Sequence, residues 1–214
     1  MFSYIPFGDA ALILKAGETI DPGVNAMVRK MLYVLDQQNI TGVTDLIPSY
    51  NELLICYDPF RFSLAELVSV LKELGERLSS VSLPDPCMVC IPVSYGGEWG
   101  PDLQVVAGMH GLTEREVVAI HTSVDYHVYM LGFTPGFCYL GGMDPRIATP
   151  RKESPRLRVA AGAVGIAGSQ TGIYPVESPG GWQIIGRTGT RLFDPDRDPP
   201  FLVKPGDVVR FERC

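Results

Sequence analysis

The chain has 214 residues, enough for one large domain or two small ones with cores of their own. Its apolar share of 46% and charged share of 20% are those of a soluble globular protein. A formal charge of −6 argues against non-specific affinity for nucleic acid or an anionic membrane. The opening MFSYIPFGDAALIL has no basic leader and is broken by Pro6 and Asp9, so no signal peptide is expected. No apolar run nears the ~20 residues of a membrane span. Five scattered cysteines suit free thiols in a reducing cytoplasm, where the protein is expected to reside.

Residues 4–14 read as a strand. Asp21-Pro22 then gives a helix start, with Asp as the cap and Pro in the first turn. Val24, Met27, Val28, Met31, Leu32 and Leu35 follow at helical spacing. Residues 43–47 and 52–57 form a hairpin pattern around Pro-Ser-Tyr-Asn. Ser63 and Glu66 make a capping box for a helix whose apolar face is Leu64, Leu67, Val68, Leu71 and Leu74. With a strand at 88–93 the order is β-α-β-β-α-β, which predicts an α+β, ferredoxin-like domain over 1–93.

From Ser94 the texture changes. A short helix is expected over Pro101–Met109, and Thr113 with Glu116 starts another that runs to about His121. The rest is short strands punctuated by Gly and Pro: 125–133, 156–168, 180–188 and 206–213. That spacing predicts a closed or nearly closed β-barrel domain over 94–214.

Several candidate sites dissolve on inspection. Cys87 and Cys90 lie three apart on a predicted strand, so they point to opposite faces, and no second pair completes a zinc set. Cys138 lacks an evident base, and the expectation is a small apolar filler. His110, His121 and His127 do not assemble into a metal site by spacing, and no metal ligands are assigned. The Asp194-Pro-Asp196-Arg-Asp198 run reads as an exposed turn. No P-loop or dinucleotide fingerprint is present, and no lysine has the flanking methionines of a biotin carrier. Arg146–Arg158 holds five cations against Glu153, either an anion-binding loop or an ordinary solvated one.

What remains is a glycine-rich, ring-rich segment. Twelve of the 23 glycines lie between Gly132 and Gly189, among Phe133, Phe137, Tyr139, Tyr174 and Trp182. Thr134-Pro135-Gly136-Phe137 has the residue order of a type II turn, which would display the neighbouring rings. Tyr129 shares a strand face with His127 and approaches the same region. Ser169-Gln170-Thr171 supplies hydroxyl and amide groups, Gly180-Gly181 sets a flexible backbone beside Trp182, and Arg156 and Arg187 can hold a carboxylate. Apolar walls with a few convergent polar groups suit a small-molecule site or a partner interface. The alternative is that the glycines turn barrel corners and the rings fill a core.

The run YMLGFTPGFCYLGG, TPR, RVAAGAVGIAGSQTGIYPVESPGGWQIIGRT, LFDPDRDPP and KPGD resembles the B subunit of 5-oxoprolinase, a family also described as KipI-like or allophanate hydrolase subunit 1. GDAALIL and YGGEWGPDL fit as well, so the likeness covers essentially the whole chain. It implies a small α/β domain followed by a cyclophilin-like β-barrel. It also implies a homologous C subunit, the pair resembling carboxyltransferase domains fused in urea carboxylase. With a third subunit the assembly is implied to cleave 5-oxoproline to glutamate using ATP, with Mg2+ and without biotin on this chain. On that reading Gln170, Thr171 and Arg187 carry the chemistry. Tyr129, Phe133, Pro135, Gly136, Phe137, Tyr139, Arg156, Ser169, Tyr174, Gly180, Gly181 and Trp182 bind substrate or partner. Two other roles stay open: inhibition of a sensor histidine kinase, and a carboxyltransferase-like role toward urea or a related amide. Ala160 and Ser169 depart from the family pattern, where Pro and Gly are usual.

Overall fold

The computed structural model describes residues 2–214, which divide into two units, one ending at Asp85 and the other spanning Pro86–Cys214. In the first, strands β1 (Ser3–Pro6) and β2 (Ala11–Lys15) precede helix α1 (Pro22–Gln38). Strands β3 (Val43–Pro48) and β4 (Glu52–Tyr57) and helix α2 (Leu64–Arg77) follow. The sheet is antiparallel with the order β1-β2-β4-β3. Asp21 Oδ1 accepts from the amides of Gly23 (2.8 Å) and Val24 (3.2 Å), satisfying donors the first helical turn leaves open. The Ser63–Glu66 box forms in both directions. Leu12, Leu14, Leu53 and Ile55 bury one sheet face against Val28, Met31 and Leu35 of α1 and Leu67, Leu71 and Leu74 of α2.

Two expectations for this unit need correction. Residues 4–14 are a hairpin rather than one strand: Gly8 adopts φ +64° and the Phe7 amide donates to Ala11 O at 2.9 Å. The strand expected to close the ferredoxin-like sheet is not in it. Three strands keep the anticipated arrangement, β2-β4-β3, but β1 occupies the free edge of β2. The stretch from Met88 belongs to the barrel, so the unit ends at Asp85 and not at Val93.

The second unit opens with β5 (Met88–Tyr95), then α3 (Leu103–His110), α4 (Glu114–Thr122), β6 (Asp125–Leu131) and β7 (Cys138–Gly141). Strands β8 (Arg156–Val159), β9 (Ala163–Ala167), β10 (Gln170–Ile173), β11 (Ser178–Gly180), β12 (Gln183–Arg187) and β13 (Val208–Arg213) complete it. Seven strands form a closed barrel in the order β10-β7-β6-β13-β5-β12-β9, with β9 and β10 paired; β8 and β11 form a separate ribbon. Only β5 and β13 run parallel within the barrel. Ile91 and Val93 are fully buried, and they join Val128, Leu140, Val164, Ile166, Ile185, Val209 and Phe211 inside. Alternation along β5 therefore fits a barrel stave with one dry face. Helices α3 and α4 pack Leu103, Val106 and Val117 onto the same core, and the Thr113–Glu116 box starts α4.

Candidate functional site

The Gly132–Phe137 connection between β6 and β7 is two turns in succession. Thr134 N–H donates to Gly132 O at 2.7 Å around Phe133, whose φ is +62°. Phe137 N–H then donates to Thr134 O at 3.0 Å, with Gly136 at φ +83°, which is the type II turn the residue order predicts. A positive φ at a bulky residue costs about 1–3 kcal/mol and persists only when the surroundings enforce it. Here the result is an aromatic ring 62% exposed at the mouth of a cleft.

That cleft, about 300 Å3 in volume, is lined by Phe133, Phe137, Tyr139, Tyr174 and Trp182, with Arg151, Pro155, Pro179, Gly180 and Gly181. Phe137 is the hub. Its ring lies 5.1 Å from Tyr174 and 5.4 Å from Trp182, nearly perpendicular to both, 4.8 Å from Tyr139 and 5.7 Å from Phe133. Edge-to-face packing of this kind adds about 0.5–1.5 kcal/mol per pair beyond burial. Two glycines make room for it. A Cβ on Gly180 would stand 2.3 Å from the Tyr174 hydroxyl, and one on Gly172 would meet Phe137 and Trp182 at 3.1 Å each. Phe137, Tyr174 and Trp182 are buried, as rings that fill a core would be, while Phe133 and half-buried Tyr139 face the opening. Burial raises the Tyr139 phenol above its usual range, partly offset by Arg151, and raises that of Tyr174 as well.

The polar candidates do not all converge there. Because Gly172 faces the rings, its neighbour Thr171 faces the barrel interior. Thr171 Oγ1 donates to Gly165 O at 2.9 Å, so it accepts from His121 Nε2, also at 2.9 Å. His121 Nδ1 in turn accepts from the Tyr95 hydroxyl at 2.8 Å. The imidazole is fully enclosed, stays neutral, and has its pKa driven down to about 3 by burial. Thr171 thus belongs to a structural chain of hydrogen bonds, out of reach of a ligand in the cleft. Gln170 alternates onto the side of Gly172, and Ser169 is exposed in the β9–β10 turn. Tyr129 packs its ring on Gly141 and is not part of the lining. Pro135 is exposed at the turn, and Gly136 is buried against Phe193. Cys138 is buried and its thiol is pushed up to about 12, as suits a filler.

Neither expected arginine lines the cleft. Arg187 sits in a separate one with Trp99. Arg156 Nη2 donates to Asp102 Oδ1 at 2.7 Å, where Lys152 Nζ also arrives at 3.2 Å, and the Ile184 amide donates to Oδ2 at 2.7 Å. Burial opposes the charge on Asp102, yet Arg156, the Ile184 amide and Lys152 together hold its carboxyl below the usual range. This buried carboxylate joins the 150–156 segment to β12, and Lys152 N–H to Gly181 O (2.7 Å) and Gln183 Nε2 to Pro150 O (3.1 Å) reinforce the join. The cation left at the cleft is Arg151, exposed and with no hydrogen-bond or ion-pair partner among the described residues. Arg151 lies within the cationic stretch noted from composition, but nothing in that stretch distinguishes it from its four neighbours. Asp102 was missed outright; its signal is the acid placed just before α3.

A closed barrel with a ring-walled cleft and one cation at its rim offers a candidate small-ligand or partner-completed site. The carboxyltransferase domain family, subdomains C and D, matches residues 2–203. The chain is 44% identical to the 5-oxoprolinase B subunit of Bacillus subtilis, over 96% of this chain and 90% of that protein. It is likewise 44% identical to the 5-oxoprolinase B subunit of Escherichia coli O157:H7, over 95% and 92%. The chain belongs to the family of 5-oxoprolinase B subunits. Among solved structures, TTHA0988 superposes with a TM-score of 0.84 at 40% identity over 95% of this chain, which spans 40% of that longer chain. The urea amidolyase of K. lactis, at 21% identity and a TM-score of 0.81, shares the fold over the whole of this chain and 15% of its own length.

Proposed function

We propose that this chain is one subunit of an ATP-dependent 5-oxoprolinase, opening 5-oxoproline to glutamate at a site completed by a homologous C subunit and served by a third subunit. The observation that carries the reading is the 44% identity to two 5-oxoprolinase B subunits over nearly the full chain, coupled to a cleft of matching chemistry. 5-Oxoproline is a small, flat, anionic lactam. The walls Phe133, Tyr139, Tyr174 and Trp182 offer ring faces to the lactam, and Arg151 offers a guanidinium to its carboxylate. Both phenols stay protonated at neutral pH and can donate to the ring carbonyl. Gln170, on the Gly172 side of β10, and the backbone of Gly180 and Gly181 are the further donors within this chain's reach of developing negative charge.

The lactam is unreactive, and ATP supplies the driving force in such an assembly. The described residues of this chain do not fit a nucleotide by themselves. No glycine-rich loop joins a strand to a helix with a phosphate-binding lysine, and the cleft has the volume of a small ligand. The ATP and Mg2+ site is therefore proposed to be shared with, or carried by, a companion subunit. The cyclophilin-like description of the barrel and a cytoplasmic location belong to the same proposal; no helix among the described residues is long and apolar enough to cross a membrane.

Reconstitution tests it. This chain mixed with the C subunit and the third component is expected to release glutamate from 5-oxoproline only when all three and ATP are present. Release that is independent of this chain refutes the proposal. The shared fold with urea amidolyase favours one rival, a carboxyltransferase role toward urea. Turnover that requires bicarbonate and a biotinylated protein, with none on 5-oxoproline, would decide for it.

A further inference from the structure

The barrel carries a second cleft that shares no lining residue with the ring-walled one. It has a volume of about 370 Å3 and is lined by Ser94, Trp99, Arg187, Thr188 and Gly189. Close backbone approach builds it. A Cβ on Gly162 would lie 2.1 Å from Thr188 O and 3.5 Å from Arg187 Cγ; one on Gly100 would lie 2.0 Å from Ile185 O. Only glycine lets those turns meet the end of β12 so closely.

Arg187 pairs with Ser94 across β5–β12 and with Ala163 across β12–β9, so its backbone is fixed on both sides. Its side chain is held as well. Nε donates to Ala161 O at 2.9 Å, and the guanidinium carbon lies 5.4 Å from the centroid of the Trp99 ring. Both Nη groups remain without a hydrogen bond or ion pair among the described residues. No carboxylate lines the cleft. Thr188 Oγ1 accepts from the Thr190 amide at 3.1 Å, which leaves its hydroxyl proton to donate elsewhere. Trp99 keeps 42% of its surface exposed beside this fork.

We propose that this cleft is a second, separate ligand site, which takes an oxyanion on the paired Nη donors of Arg187 with Trp99 as an adjoining flat wall. A guanidinium already oriented by Nε and by a ring face loses little freedom when it binds two oxygens in parallel. Phosphoryl and carboxylate groups share that chemistry. The site stands whether or not the lactam occupies the other cleft.

The chain's two tryptophans make the clefts separately readable, Trp99 in one and Trp182 in the other. In Trp182→Phe protein, whose folding is checked by circular dichroism, Trp99 emission is recorded during titration with inorganic phosphate and, separately, with acetate. Chloride at equal ionic strength is the control. A saturable change is expected, at least tenfold weaker after Arg187→Gln. Saturation by phosphate alone assigns a phosphoryl ligand, and by acetate alone a carboxylate. In Trp99→Phe protein any response of Trp182 to the same anions should be the same with and without Arg187→Gln. Isothermal titration of the unsubstituted chain against Arg187→Gln gives a second readout that alters neither tryptophan. No saturable response to either anion, a response that survives Arg187→Gln, or one that chloride reproduces overturns the proposal. None of these results bears on 5-oxoproline turnover, which fails or succeeds in the reconstitution assay.

Discussion

Replacing Asp102 by Asn probes the joint between the two walls of the ring-lined cleft. The side chain is 4% exposed, while its partners Arg156 and Lys152 are 27% and 29% exposed. Removing one member of a fully buried ion pair costs about 3–5 kcal/mol, because the stranded charge stays desolvated. Two features reduce that figure here: both cations retain a path to water, and the Asn carbonyl can still accept the Ile184 amide. The expected loss is about 1–3 kcal/mol. Its pH signature follows from the depressed carboxyl. A group whose folded pKa lies below the unfolded value of about 3.9 stabilises the fold above that value. The contribution fades as pH falls through the folded pKa. Urea unfolding of wild type and Asp102→Asn at neutral pH and at stepped acidic pH should therefore show a gap that closes toward acid. In the reconstituted enzyme the KM for 5-oxoproline should rise more than kcat falls, because the 150–156 segment carrying Arg151 is loosened. A gap that is absent at neutral pH, or one that widens in acid, would refute the assignment of Asp102 as the charged joint.

His121 gives the opposite group with the same slope. Its folded pKa, about 3, lies below an unfolded value near 6.5, so protons bind the unfolded chain first, and stability falls as pH drops from about 6.5 toward 3 by up to ~1.4 kcal/mol per pH unit. His121→Gln, read by the same urea series, should flatten that limb. Gly180→Ala should displace the Tyr174 hydroxyl and destabilise the barrel by about 1–3 kcal/mol, the usual cost of overpacking; near-UV circular dichroism reports the disturbed rings, and an unchanged spectrum and midpoint contradict the packing account. Arg151→Met should raise the KM for 5-oxoproline at least tenfold, the loss of about 1.4 kcal/mol of a charge-assisted bond, with the thermal midpoint unchanged. Full activity there removes Arg151 from substrate binding.

Local chemistry was legible wherever a few adjacent residues decide the structure. Asp21-Pro22, Ser63/Glu66 and Thr113/Glu116 each start a helix as their hydrogen-bonding groups dictate, and Pro135-Gly136 makes the turn its order requires. Strand partners were less legible. Met88–Tyr95 has the alternation of any half-buried strand, and nothing within it says whether its dry face meets the first helices or a barrel. The parallel pairing of β5 with β13, whose residues are paired across more than a hundred positions of chain, decides the matter, and no local pattern reports so distant a partner. Residues 4–14 failed for a nearer reason. Gly8-Asp9 is a turn signal, but apolar residues on both sides outweighed it in the strand reading.

The same limit explains the site. The rings and glycines that line the cleft come from β7, the β10–β11 connection and the ribbon strand β11, stretches close in sequence, so the walls of the cleft could be named in advance. Its cation could not. Five positive residues between Arg146 and Arg158 differ by which acid each reaches, and those acids lie elsewhere: Arg146 is claimed by Asp144, Lys152 and Arg156 by Asp102, Arg158 by Glu177. Arg151 is left without an acid by elimination, and the elimination exists only in three dimensions. Thr171 shows the complementary error. One residue's step along β10 carries a side chain from the cleft to the interior, so proximity in sequence to Gly172 guaranteed that Thr171 would face His121 and not the rings. The proposed sites in this barrel therefore rest on which charged groups the fold leaves without a counter-ion. At the ring-walled cleft that is Arg151, and at the Trp99 cleft it is the Nη pair of Arg187, whose Nε is held by Ala161 O. Replacing either arginine should weaken binding at its own cleft at least tenfold, the loss of about 1.4 kcal/mol, without unfolding the chain.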